Sequence, residues 1–228
     1  MRPSFYALRP GGWRDYVTLL HPPYTLWHLS YVVIGAALAP EWRPLRLGVG
    51  LAAFFLGLGV GAHALDELRG RPLGTRIPDR VLWGLAAVSL AGAVAIGIAA
   101  AVVWIPWLAV FVAFGGFIVC AYNLELFGGR FHGDAWFAIS WGGLPLLAAY
   151  VAAAGVVTWQ ALAAAWFAVL FSLAQRRLST PVRLVRRALP EVDDSTREQL
   201  VQSAEGALRA LTGAVVTLAV ALAILRAR

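Results

Sequence analysis

Apolar residues fall along the chain in long blocks separated by short polar stretches. Blocks at about 24–40, 47–65, 81–102, 104–122, 135–154 and 158–175 approach the roughly 20 residues with which an α-helix crosses a hydrocarbon core of about 30 Å. A further helix starts near Ser195, where Ser195 and Glu198 have the S-x-x-E spacing of a capping box, and reaches about Leu225. The pattern predicts an all-α fold: a polytopic membrane helix bundle of about seven transmembrane helices. Residues 1–22 are mixed and aromatic and form an interfacial arm; residues 23–228 form the bundle, with polar loops at about 66–80, 122–134 and 175–199. The arm has no continuous apolar stretch of the kind a cleavable signal peptide needs.

Composition agrees with this class. Hydrophobic residues make up 60% of the 228 and charged residues 14%, against roughly 45–50% and about 25% in soluble domains. The net charge is +7, and all 19 basic residues are arginine. Arginines concentrate in the N-terminal arm and the three polar loops, with fewer in the turns between. The positive-inside rule then predicts a cytoplasmic N-terminus, an external C-terminus and all three polar loops in the cytoplasm, in a prokaryotic cytoplasmic membrane. Arginines in short loops between spans are a topology feature, so nucleic acid is not an expected partner. The lone Cys120 excludes an intrachain disulfide and reads as a core residue.

Gly57 and Gly61 form a G-x-x-x-G pair in the second span, which permits close helix packing. Trp141–Pro145 reads WGGLP in the fifth, where Gly142, Gly143 and Pro145 read as a kink or thinning midway along the span. His28, in the first span, reads as a histidine hydrogen-bonded between helices.

The chemistry gathers where the second span ends, in GLGVGAHALDELRGRPLGTRIPDR (57–80). His63, Asp66 and Glu67 stand at i, i+3 and i+4, so a helix places them on one side, where they offer an imidazole and two carboxylates to one ligand or ion. Arg69, Arg71 and Arg76 follow, and arginine holds phosphate through paired hydrogen bonds. They read equally as the basic rim of a membrane helix.

The stretch HPPYTLWHLSYVVIGAALA (21–39) resembles the start and small-residue first helix of the UbiA superfamily of intramembrane prenyltransferases, most of all its menaquinone branch. AHALDELRG (62–70) is similar to the end of that branch's second helix, N-D-x-x-D followed by glycine, with Asp66 at the second aspartate and Gly70 at the glycine. RPLGTRI (71–77) resembles the R-P-L-x-x-G-R-I that follows, and residues 122–154 resemble the passage from fourth to fifth helix. Ala62 and His63 stand where the family has Asn and Asp. FSLAQRRLSTP (171–181) carries no carboxylate where the family has its second aspartate-rich motif. Asp193 and Asp194 come later and fit a helix start.

The resemblance implies transfer of an isoprenyl group from an isoprenyl diphosphate to a lipophilic acceptor, with Mg²⁺ taking up charge on the leaving group. It implies metal ligation by Asp66 and Glu67 with His63, and diphosphate binding by Arg69, Arg71 and Arg76. It implies prenyl-chain walls from Trp27, Tyr31, Trp136 and Trp141. A second cluster, Asn123, Glu125, Arg130, His132 and Asp134, would face the same cavity, and its histidine, like His63, suits another divalent metal better than magnesium. The expected partners are membrane lipid and an isoprenyl diphosphate or isoprenoid lipid. Two further readings stay open: a non-catalytic protein that binds an isoprenoid or quinone or scaffolds a partner, and another lipid enzyme with a His/carboxylate metal site.

Overall fold

The structure is a computed structural model that describes residues 3–188 and 193–228. Its helices are α1 (Trp13–Leu19), α2 (Pro22–Leu38), α3 (Pro44–Leu68), α4 (Asp79–Val103), α5 (Leu108–Asn123), α6 (Asp134–Ala154), α7 (Trp159–Ala188) and α8 (Asp194–Arg226). No strand occurs among the described residues. α3, α4, α6, α7 and α8 are long and apolar enough to cross a membrane. This is a helical membrane bundle.

α2 and α5 are shorter, with 17 and 16 residues, but run the length of the bundle. α2 starts at Pro22 beside the arginine-rich loops, and the carbonyls of Ala39 and Pro40, just beyond it, accept hydrogen bonds from Arg226 at the far end of α8. α5 starts where Leu108 packs on Val151 and ends at Tyr122 and Asn123 among the polar loops. The N-terminal arm and the C-terminus therefore lie at opposite ends.

α6 is the centre, with 67% of its most apolar window buried against 17–28% for the other four long helices. Glycine makes this burial possible. A Cβ on Gly35 of α2 would collide with the carbonyl oxygen of Leu146, and one on Gly142 with that of Ala168 in α7, so α6 meets both neighbours backbone to backbone. Gly61 similarly lets α3 approach Leu90 of α4, where an added Cβ would sit 2.8 Å from the side chain. α3 and α6 each contain a π-helical stretch, Phe55–Ala62 and Ala138–Gly143. Such stretches displace carbonyls from the regular ladder and often accompany functional sites.

Two boundaries differ from expectation. The polar segment from residue 175 is not a loop: α7 continues through Pro181 to Ala188. The hydroxyls of Ser179 and Thr180 donate to the carbonyl of Arg176 at 3.1 and 2.9 Å, supporting the turn before the proline. The extension is held to α8 by a buried ion pair, Arg186 to Glu205 at 2.8 Å. The cap of α8 is Asp193, whose carboxylate accepts from the N–H groups of Ser195 and Thr196, both at 3.0 Å; Ser195 lies inside the first turn and is not the cap.

Candidate functional site

The central loop is built around Glu67. This carboxylate is fully buried and accepts from the N–H of Leu73 (2.9 Å), the N–H of Thr75 (2.8 Å) and the Thr75 hydroxyl (2.9 Å). A carboxylate with this many donors anchors the loop, and both oxygens of Glu67 are engaged there. Arg71 closes the same loop by donating to the Ile77 carbonyl (2.6 Å) and pairing with Asp79. Arg76 presents its backbone N–H to Asp15 (2.9 Å), while its side chain is exposed. Asp15 also accepts from the N–H of Gly11 (2.8 Å) and so ties the N-terminal arm to the loop.

The arm, the loops and the extended ends of α7 and α8 enclose a cavity of about 380 Å³. All four histidines of the chain, His21, His28, His63 and His132, line it. So do Arg69, Arg176 and Arg183 with Asp66, Glu125 and Glu205. Its floor is aromatic: Phe137 and Trp141 stack at 5.4 Å between ring centroids, and Tyr122 leans on Trp141 at 4.7 Å. Ser4, Phe5 and Tyr6 of the arm form the roof. Burial beside Tyr24 pushes the Tyr6 phenol well above its ordinary range, so it stays protonated and shares a 2.8 Å hydrogen bond with His21 Nδ1.

Most charged walls are already paired. Arg69 holds Glu125 at 2.8 Å, Arg176 holds Asp134 at 3.1 Å and rests on Phe137, and Glu205 holds Arg186. Arg183 makes no ion pair among the described residues, and its guanidinium donates to the Thr180 hydroxyl at 3.3 Å. Asp66 is close enough to Arg183, Tyr122 and Tyr6 for its charge to act on all three.

The histidines are oriented by backbone carbonyls. His63 Nδ1 lies 3.0 Å from Gly59 O, inside the π-helical stretch of α3, and His132 Nδ1 lies 2.9 Å from Tyr122 O. A carbonyl only accepts, so both Nδ1 atoms carry the proton, and in the neutral rings Nε2 is the acceptor. Deeper in, His28 Nδ1, the Tyr122 hydroxyl and Gln175 Oε1 are buried with no hydrogen-bond partner among the described residues. His28 nevertheless makes the expected contact between helices, a hydrogen bond to the backbone of Trp141 in α6, and only its Nδ1 is left over.

Of the expected site residues, His63, Asp66, Arg69, Asn123, Glu125, His132 and Trp141 line the cavity. Arg71, Arg76, Glu67, Arg130, Asp134, Trp27, Tyr31 and Trp136 are not part of its lining. Trp27 and Tyr31 are fully buried in helix packing, with Trp27 Nε1 donating to the Tyr31 hydroxyl at 2.6 Å. Trp136 packs on Phe131, and Arg130 is exposed on its loop. Asn123 spends its amide on the Val119 carbonyl at 2.7 Å.

Among the described residues no three His, Cys, Asp or Glu side chains gather closely enough to hold a metal ion. The donor set does not fit a magnesium cluster, which needs several hard oxygen ligands at once. Glu67 serves its loop, and Glu125 and Asp134 serve arginines.

Sequence reasoning missed cavity residues on the arm, such as Tyr6 and His21, on α6 and α8, such as Phe137 and Glu205, and on the extended end of α7. Ser172, Gln175, Ser179 and Val182 are buried at spacings of three and four residues, and Arg176 and Arg183 flank that stripe. Polar residues at the buried positions of a helical repeat, continuing past Pro181, are the signal that could have found them.

No family model matches the chain, and neither a curated protein nor a solved structure does.

Proposed function

We propose that this membrane protein binds an isoprenoid lipid by a phosphate-bearing head group seated in the cavity. An isoprenyl diphosphate is the candidate ligand, and transfer of its isoprenyl group to a lipophilic acceptor is the candidate reaction. The arginine-rich end, by the positive-inside rule, faces the cytoplasm. The observation that carries this reading is Arg183, which lines the cavity and makes no ion pair among the described residues. A guanidinium in such a place favours an anion with several acceptor oxygens. The aromatic floor of Phe137, Trp141 and Tyr122 offers the apolar surface that the adjoining lipid chain requires.

The order of motifs from residue 21 to 154 supports a UbiA-like bundle. A non-catalytic, lipid-binding role is the second reading. It is favoured by the engagement of Glu67 by its loop and of Glu125, Asp134 and Glu205 by arginines.

The test is binding of geranylgeranyl diphosphate to the purified protein in detergent, with and without Mg²⁺, followed by mass spectrometry for prenylated products. Wild type should bind and Arg183→Gln should bind at least about tenfold more weakly, the loss of one charged hydrogen-bonding partner. Magnesium dependence abolished by Asp66→Ala, together with product, selects the transferase. Binding without either selects the lipid-binding role. Absence of binding removes both.

A further inference from the structure

The cavity walls hold more acceptors than a phosphate alone can use. His63 and His132 have their Nδ1 protons committed to the carbonyls of Gly59 and Tyr122, at 3.0 and 2.9 Å. Each Nε2 is thereby left as a lone-pair acceptor on a cavity-lining residue. Gln175, 2% exposed, lines the same space with an unpartnered Oε1, and Tyr122, 4% exposed, with an unpartnered hydroxyl, among the described residues. Buried polar atoms without partners are uncommon, and each calls for a water, an ion or a ligand.

A phosphate or diphosphate presents acceptors almost exclusively. It satisfies Arg183 and leaves the two imidazoles and the amide oxygen facing further lone pairs. A ligand that satisfies both sides must carry hydrogen-bond donors next to its phosphate. Those donors meet an amide oxygen and imidazole Nε2 atoms whose ring partners, the Nδ1 protons, are committed to carbonyls, and such acceptors suit hydroxyl groups. An ammonium group would ask instead for carboxylates; Glu125 and Glu205 are held by Arg69 and Arg186, and the charge of Asp66 acts on Arg183.

We infer that the cavity recognises a phosphorylated polyol: a phosphate on Arg183 with neighbouring hydroxyls donating to His63 Nε2, His132 Nε2 and Gln175 Oε1. This rests on the assignment of the cavity as a phosphate site and names what accompanies the phosphate. The same chemistry occurs in a free polyol phosphate and in the head group of a polyol-bearing phospholipid.

The experiment compares matched pairs on the full chain. In detergent, calorimetry measures inorganic phosphate against glycerol 3-phosphate and inositol 1-phosphate. In nanodiscs of a zwitterionic lipid, native mass spectrometry measures phosphatidic acid against phosphatidylglycerol and phosphatidylinositol. Each hydroxyl-bearing member should bind at least about tenfold more tightly than its hydroxyl-free counterpart, the worth of one net hydrogen bond at the upper end of its range. Preference in the first set alone identifies a soluble ligand, and in the second set alone a lipid head group. His132→Asn and the near-isosteric Gln175→Met should each shrink the preference while Arg183→Gln weakens every phosphate alike.

Equal binding of phosphate with glycerol 3-phosphate, and of phosphatidic acid with phosphatidylglycerol, overturns the polyol inference and leaves the phosphate site standing. Failure of every phosphate, with geranylgeranyl diphosphate also unbound, overturns the phosphate site itself. Thermal unfolding of each variant, run alongside, identifies one that has lost its fold; the remaining variant and the wild-type pairs still decide the outcome.

Discussion

The imidazole rings of His21 and His63 stack face to face, 4.1 Å between centroids and 15° between planes. His21 sits just before α2 in the left-handed region, at φ 45°, immediately ahead of Pro22. A side chain there costs roughly 1–2 kcal/mol. The contacts of the ring include the stack on His63 and the hydrogen bond to Tyr6 in the cavity roof. His21→Ala keeps the backbone cost and loses both contacts, so thermal unfolding in detergent should fall by an amount equivalent to about 1–2 kcal/mol. His21→Gly should recover about 1 kcal/mol of that loss. Equal stability of the two variants would count against strain at this position.

Asp66 and Glu67 are neighbours with different work. Glu67→Ala leaves two buried N–H groups and a hydroxyl without their acceptor, at about 1–3 kcal/mol each before water enters. It should lower unfolding temperature and folded yield sharply. Asp66→Asn should leave both near wild type and change ligand affinity. A Glu67→Ala protein as stable as wild type would show that the loop does not depend on its anchor.

The arginines divide in the same way. Arg183→Gln should reduce phosphate-ligand affinity at least about tenfold. Arg76→Gln, on an exposed side chain, should leave it unchanged. Parallel loss in both variants would mean a diffuse electrostatic effect, and a shallow dependence on salt for the Arg183 contact would separate the two further.

The cap of α8 supplies a pH signature. Hydrogen bonds from Ser195 and Thr196 hold the Asp193 carboxyl well below its ordinary range. A lowered folded-state value means that the capping contribution is complete above the unfolded value of about 3.9 and is lost as pH falls from there toward the folded one. Amide exchange at Ser195 and Thr196 should therefore quicken on acidification below about pH 4. Asp193→Asn, which caps without ionising, should remove that dependence while keeping protection at neutral pH.

Glycine substitutions report on packing. Gly35→Ala drives a methyl into the Leu146 backbone and should cost at least about 1–3 kcal/mol by thermal unfolding. Gly48→Ala, with nothing within 4 Å, should be neutral or gain up to about 1 kcal/mol from the better helix former.

What the sequence by itself determined is the membrane bundle: where most of its helices run, which end carries the arginines, and that Gly61 of the G-x-x-x-G pair marks a close contact. These follow from local quantities, because an apolar block of a given length has one way to satisfy its backbone in a lipid core. The extension of α7 was hidden because Pro181 and a run of arginines imitate a loop, while the contact that holds it, Arg186 to Glu205, joins residues 19 apart. Only the tertiary structure decided which polar residues share the cavity. On sequence spacing Asp66 and Glu67 are equivalent, yet a bend in the following loop brings Leu73 and Thr75 onto Glu67 and leaves Asp66 on the cavity wall. Arg71 and Arg76 are drawn away by the same loop, whereas Arg183, more than a hundred residues later, is brought in by helix packing. The physical reason is that burial and hydrogen-bond partners belong to the assembled chain: a residue's chemistry is read from its own letter, but what its side chain is free to bind depends on neighbours that only folding supplies.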